Sequence, residues 1–331
     1  MVIRLSVVMR ARYRISEKRI GFEENSLLLI SLNDFLGAHY QMSQNYIGPI
    51  LDSHIHLFDP SRPDGIPWPN PSDSIYSPHL PPDYWRISER HGITAAIAVE
   101  ASPWVADNHW LLDVVKADPQ LSGFIGNLDP ATKEFRQELE WLVAEPKFLG
   151  LRYGNLWGRD LLLDQDQSCF IDNLSALADS GRSLDTANPD ERLLKGVLRL
   201  SEKLPHLRII VDHLPNAAVP PGKLQSFANQ IQALAERPNV FAKLSALPQK
   251  KQNTVILDAA FYRDRMALLW DAFGEDRCLF GSDWPNSEFL ANFEDTLSLV
   301  HACLADRSLI AKQKFFYLNS ARAYSISLPA R

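Results

Sequence analysis

Ile50-Leu-Asp-Ser-His54-Ile-His56-Leu-Phe-Asp59 is an apolar run that carries two histidines two residues apart. In a strand, side chains at i and i+2 share a face, so both imidazoles point into one small space. Far along the chain, Leu279-Phe-Gly-Ser-Asp283-Trp-Pro285 is a second apolar, strand-like run, this one ending in a carboxylate. A His-x-His on an early strand and an Asp at the tip of a last strand predict one site built from distant ends of the chain.

Between these runs, strand-like and helix-like segments alternate. The strand candidates are 50–58, 93–101, 121–129, 148–154, 183–188, 208–214, 240–247 and 278–284. Several are near-continuous apolar runs, as parallel strands buried on both faces require. Helical spacing occupies 107–117, 131–144, 168–180, 190–203, 222–236, 257–273 and 288–304. Eight such units over about 280 residues predict an α/β fold, a (β/α)8 TIM-like barrel in a single domain. The rival is a doubly wound open sheet, which would carry a Gly-rich phosphate loop after its first strand. Here the first strand leads through His54, His56 and Asp59 into a long loop, with no Gly-x-Gly-x-x-Gly.

The boundaries expected are an N-terminal extension over 1–48, the barrel over 49–326 and a short tail over 327–331. The extension is set apart by Arg4, Arg10, Arg12, Arg14, Lys18 and Arg19 against the single acid Glu17 in its first 20 residues. Arginines interrupt its apolar residues, which argues against a secretory signal. It reads as a disordered or wrongly included leader, with Met42 as an alternative start, rather than as an Arg-rich transit segment.

Of the 331 residues, 46% are hydrophobic and 22% charged, enough for a large buried core, and the net charge is −6. That balance argues against nucleic acid or an anionic membrane as main partner and leaves a small-molecule substrate. Cys169, Cys278 and Cys303 are widely spaced, with no Cys-x-x-Cys, so neither a disulfide framework nor a zinc ribbon is expected. A reducing cytoplasm fits. No apolar run approaches the roughly 20 residues of a membrane span. Homo-oligomerisation is left open.

Polar residues gather at the C-terminal ends of the candidate strands: His54 and His56, Glu100, Arg152 and Tyr153, Asp185, His213, Lys243 with Ser245, and Asp283. Strands of a barrel converge there, and burying so many ionisable groups is costly unless they pair or work. Asp283 reads as a proton-transfer carboxylate rather than a cap for the segment starting at Asn286. His54, His56 and His213 read as functional rather than hydrogen-bonded core histidines. Arg152 either braces the rim or binds a carboxylate or oxyanion. Glu100, Asp185 and Lys243 divide evenly between an internal ion-pair network and substrate contact. The loop at 60–83, stiffened by eight prolines, reads as a fixed wall or lid. Trp68, Tyr76, Trp104, Tyr153 and Trp157 are candidates to line a pocket suited to ring faces.

These motifs, with Gly150-Leu-Arg152, Val211-Asp-His213-Leu, Lys243-Leu-Ser245 and the close Asn319-Ser-Ala-Arg322-Ala-Tyr324, resemble the amidohydrolase-related family (amidohydrolase 2). The likeness is to its lactonase branch, which includes 2-pyrone-4,6-dicarboxylate lactonase and fuconolactonase-type sugar lactonases. It spans roughly residues 49–326. The resemblance implies a distorted (β/α)8 barrel and hydrolysis of a lactone, a carboxylic ester bond. It implies Asp283 as the base that activates water, and His54, His56 and His213 as groups that polarise the carbonyl or hold a metal. Arg152 would hold a substrate carboxylate or hydroxyl. Tyr153, Glu100, Trp68 and Lys243 complete the expected substrate-binding set.

Many amidohydrolases hold two metals on a strand-four lysine and a strand-five histidine. Here those strands offer Arg152 and Asp185. A binuclear centre is therefore not expected. The reading favours no obligatory metal, and leaves room for one divalent ion such as zinc on His54, His56 and Asp283. The alternatives are a metal-dependent non-oxidative decarboxylase of an aromatic or unsaturated acid and a non-catalytic ligand-binding barrel. Which lactone or acid is the substrate is not legible.

Overall fold

A computed structural model describes residues 46–327. The expected leader falls almost wholly outside these residues, as does nearly all of the expected tail. Eight strands form one all-parallel sheet: β1 (Ile50–Ile55), β2 (Ile93–Val99), β3 (Leu121–Gly126), β4 (Phe148–Arg152), β5 (Ser183–Asp185), β6 (Arg208–Val211), β7 (Val240–Leu244) and, after a small antiparallel hairpin of β8 (Gln249–Lys251) and β9 (Thr254–Ile256), β10 (Cys278–Phe280). Each strand pairs with its successor, β7 with β10. The sheet closes where Asp283 N donates to His54 O at 2.9 Å and His56 N to Trp284 O at 2.7 Å. The barrel expectation is met. The hairpin has no counterpart in the sequence reading.

The principal helices are α1 (Pro81–Ser88), α2 (Asp107–Ala117), α3 (Phe135–Val143), α4 (Leu161–Asp164), α5 (Phe170–Asp179), α6 (Glu191–Lys203), α7 (Leu224–Ala235), α8 (Ala259–Phe273) and α9 (Phe293–Cys303). Their seats follow from pattern and caps. In α6, Leu193, Leu194, Val197 and Leu200 face the barrel, and the Asp190 side chain accepts from Leu193 N to close the first turn. A final run of α10 (Leu309–Gln313), a π-helical segment (Lys314–Leu318) and α11 (Asn319–Ala323) ends the described chain.

The barrel interior is layered. Its floor is apolar: Leu51, Ile97, Val99, Ile125, Leu149, Ile210, Phe241 and Leu279 pack with Tyr324, which enters from beyond α11. Above them Lys243 Nζ lies 2.7 Å from Asp185 Oδ2 and 2.8 Å from Asp212 Oδ1, all three side chains with no solvent exposure. Tyr324 Oη donates to Asp185 Oδ2 at 2.6 Å. The histidines and Asp283 lie over this ionic layer.

The strands stop two to four residues before the expected ends. The backbone turns there, reaching φ 56° at His213 and 62° at Asp283, a left-handed conformation that non-glycine residues adopt mainly at constrained sites. His213 and Asp283 therefore sit on turned backbone just beyond the ladder, whereas His54 and Arg152 remain within β1 and β4.

Candidate active site

The geometry of β1 explains how both histidines reach the interior. Asp52 pairs with Ala96 but Ile55 pairs with Ala98, so β1 carries one extra residue. Leu51 faces inward and Ile55 packs outward against the helices. The bulge shifts the parity between them, and His54 and His56 both turn in. Gly281 makes room for this. A Cβ there would lie 2.7 Å from the Cβ of His54. Asp52 holds the bulge by accepting from Ser282 N at 2.8 Å, Tyr84 Oη at 2.7 Å and His54 N at 3.1 Å.

Asp283 Oδ1 is the focus. It lies 3.3 Å from His56 Nε2, 3.5 Å from His54 Nε2 and 3.9 Å from His213 Nε2. The two Nε2 atoms of His54 and His56 are 3.2 Å apart. Asp283 Oδ2 accepts from Asn286 Nδ2 at 2.9 Å, whereas Oδ1 is buried without a hydrogen bond. Burial pushes the Asp283 carboxyl up, but His213, the contact with His56 and the charge of His54 outweigh it and hold it below the usual carboxylate range. Burial pushes His54 well down and His213 down. At neutral pH the Asp283 carboxylate therefore stands beside the uncharged imidazoles of His54 and His213.

His56 Nδ1 lies 3.0 Å from the Val99 carbonyl, which can only accept. Nδ1 therefore carries a proton, which leaves Nε2 turned toward Asp283 Oδ1. His56 Nε2 and Asp283 Oδ1 face each other at 3.3 Å, a gap that a proton or a cation bridges. The three atoms His54 Nε2, His56 Nε2 and Asp283 Oδ1 stand 3.2–3.5 Å apart. Ligands about 2.0–2.1 Å from a tetrahedral zinc are separated by roughly 3.3–3.4 Å. The donor set fits one divalent ion.

Above the triad opens a cavity of about 230 Å³, room for a small molecule. His56, Trp68, Glu100, Arg152, Trp157, Asn188, His213, Asp283 and Asn286 line it. Arg152 is the last residue of β4 and the others lie past strand ends or in the loops, the catalytic face of such barrels. Trp68 comes from the proline-rich loop, whose far end is pinned by the mutual backbone hydrogen bonds of Phe58 and His79. His54 lies beneath the wall, fully buried. Arg152 reaches Glu100 Oε1 and Asp212 Oδ2, each at 3.6 Å.

Two expected substrate contacts are not on this wall. Tyr153 follows Arg152 directly, and neighbours on a strand face opposite ways. Its hydroxyl donates to Asp164 Oδ2 at 2.8 Å and its ring packs on Phe170, outside the barrel. Lys243 is fully buried one layer down between Asp185 and Asp212. Its charge is spent on those carboxylates, which hold its pKa above the ordinary value against burial. Glu100 leaves the supposed three-member network and pairs with Arg152 instead.

Asp212 is the residue the sequence reading passed over. Its Oδ2 lies 3.5 Å from His54 Nδ1. Burial would raise its carboxyl, but Lys243, His54 and Arg152 overcome that and keep it ionised. Its signal was its place beside His213, yet strict alternation puts the two on opposite faces. The positive φ of His213 brings both inward.

A closed parallel barrel with a His-x-His at the end of its first strand and a carboxylate after its last is an arrangement suited to an enzyme of the barrel class. Residues 51–326 match the family described as Amidohydrolase, and the chain belongs to it. It is 27% identical over 290 residues to the L-fucono-1,5-lactonase of Burkholderia ambifaria, covering 85% of this chain and 97% of that one. It is 23% identical over 301 residues to the L-fucono-1,5-lactonase of Burkholderia multivorans, with coverage of 85% and 97%. Among solved structures, an amidohydrolase from Burkholderia multivorans with bound zinc superposes with a TM-score of 0.71 at 22% identity, covering 84% of this chain and 100% of that one. No helix among the described residues is long and apolar enough to cross a membrane.

Proposed function

We propose that the protein opens a lactone by adding water to its ester carbonyl. The observation that carries this reading is the convergence of Asp283 Oδ1 with His54, His56 and His213, within 3.9 Å, at the base of the cavity. Its kinship with two L-fucono-1,5-lactonases supports the choice of a lactone as the substrate.

Asp283 takes a proton from water held at Oδ1. The hydroxide adds to the carbonyl carbon, and the carbonyl oxygen takes up the negative charge beside Arg152 and His213, which stabilise it. The carbon–oxygen bond of the ring then breaks. Protonated Asp283 returns its proton to the departing oxygen, leaving an open hydroxy acid. His54, His56 and Asp283 are the residues that would hold a divalent ion. When bound, such an ion would polarise the carbonyl and acidify water. That a related Burkholderia multivorans amidohydrolase structure has zinc bound supports the proposal of a divalent ion. The chain's own groups can complete the proton transfers, so the metal is proposed as an accommodated rather than an obligatory component.

Decarboxylation is not favoured. A decarboxylase is expected to add a metal-binding histidine after strand five, where this chain carries Thr186, Ala187 and Asn188. The test is acid release, followed with a pH indicator, over sugar lactones and pyrone carboxylates with metal-replete protein. Hydrolysis of one group is expected. Silence across the whole panel would sink the proposal.

A further inference from the structure

We propose that Glu100 makes the cavity selective for uncharged, hydroxylated lactone rings and against rings that carry a carboxylate. This rests on the lactone-hydrolase reading above. Among the described residues lining the cavity, Arg152 is the one fixed cation. A pocket built for a substrate carboxylate would leave that guanidinium free. Here Glu100 Oε1 and Asp212 Oδ2 each lie 3.6 Å from it. Two carboxylates flank one guanidinium, and Asp283 adds a further negative charge to the wall. A carboxylate on the substrate would be placed among like charges and would compete with Glu100 and Asp212 for Arg152. A cation held by His54, His56 and Asp283 would offset Asp283, but it would leave Glu100 and Asp212 beside Arg152.

The same residues are suited to hydroxyls. Glu100 is fixed from behind, its Oε2 accepting from Ser102 N at 2.9 Å and from Trp157 Nε1 at 3.3 Å. Its Oε1 has only the loose pairing with Arg152 and borders the cavity, where it can accept from a ring hydroxyl. Asn188 donates its amide to Asn155 O at 2.8 Å, which leaves its own carbonyl oxygen for a second hydroxyl. Trp68 and Trp157 add aromatic surface for the C–H faces of a ring.

The experiment compares lactones that differ only in a terminal hydroxymethyl or carboxylate: D-glucono- against D-glucaro-1,4-lactone, and D-galactono- against galactaro-1,4-lactone. The neutral member should have kcat/KM higher by about a hundredfold or more, the scale of a like-charge clash. Glu100→Gln keeps an acceptor for Ser102 and Trp157 and should narrow that ratio by about tenfold. Equal or faster turnover of the carboxylated member, or an unchanged ratio in Glu100→Gln, overturns the proposal. The corresponding 1,4-lactams, which resist hydrolysis, provide an arm that needs neither turnover nor a variant. Calorimetry on the wild-type protein should show tighter binding of the neutral lactam. Equal or tighter binding of the carboxylated lactam, or no binding of either, overturns the inference. Loss of all lactone hydrolysis would remove the proposed function alone, and the lactams would still decide this point.

Discussion

Asp283 has one oxygen held by Asn286 and one turned toward three imidazoles. That division lets Oδ2 orient the carboxylate while Oδ1 remains available for a proton. Asp283→Asn keeps the shape and removes the base. Turnover should fall by roughly 10²–10⁴-fold, the usual contribution of a general base. Circular dichroism should stay unchanged, and full activity in the variant would remove Asp283 from the role. Asp212 acts one step back, against His54 Nδ1, Arg152 and Lys243. Asp212→Asn leaves Lys243 with one carboxylate in a buried layer. Stability should drop on the order of 3 kcal/mol by urea denaturation, as for other half-broken buried pairs. Turnover should fall with it because His54 loses its anionic neighbour. A variant as stable as the wild type would show that Asp185 alone satisfies the lysine.

At the scale of elements, the site depends on β1 and on the turn after β10. The sequence reading placed His54 and His56 on one face by simple alternation, and both do reach Asp283 Oδ1. It could not see the bulge, which sets the whole pair inward rather than outward. The close approach of Gly281 to His54 belongs to the same device. Gly281→Ala brings a methyl to 2.7 Å of the His54 Cβ, and both backbones sit in the closing seam of the barrel. Such overpacking should cost about 1–3 kcal/mol in thermal unfolding and lower kcat by displacing the imidazole. Unaltered kcat and melting temperature would mean the seam relaxes freely. Alternation also explains the misplacement of Tyr153: Arg152 and Tyr153 share a strand end and cannot both face the cavity.

The whole molecule is a stack of apolar floor, ionic layer and catalytic layer, and its pH response follows from the middle one. Burial pushes the Asp185 carboxyl up to about 6 from the ordinary 3.8, with Lys243 pulling it down and Asp212 pushing it up. Between about pH 4 and 6 the folded protein thus holds a proton at Asp185 that the unfolded chain has released. Its contribution to stability falls as pH rises through that window. Acids with depressed pKa values, such as Asp212, act in the opposite direction at lower pH. The Asp185 effect is therefore read as a difference. Relative to Asp185→Asn, the wild-type urea midpoint should decline from pH 4 to pH 6 and run parallel above it. Parallel curves throughout would place the Asp185 titration outside this range.

Local pattern alone was enough to read eight strands, most of the helices, the barrel class and the set of histidines with Asp283. Apolar runs, helical spacing and residue type are properties of short stretches, and parallel β/α alternation has few ways to close. The direction of each side chain depended on more than its own stretch. A one-residue bulge, the positive φ of His213 and Asp283, and the missing Cβ of Gly281 set which groups face the cavity. The pairing of Lys243 with Asp185 and Asp212, and of Arg152 with Glu100, joins residues tens of positions apart. Those partners are chosen by where buried charges find compensation, and only the closed barrel brings the candidates into one low-dielectric space.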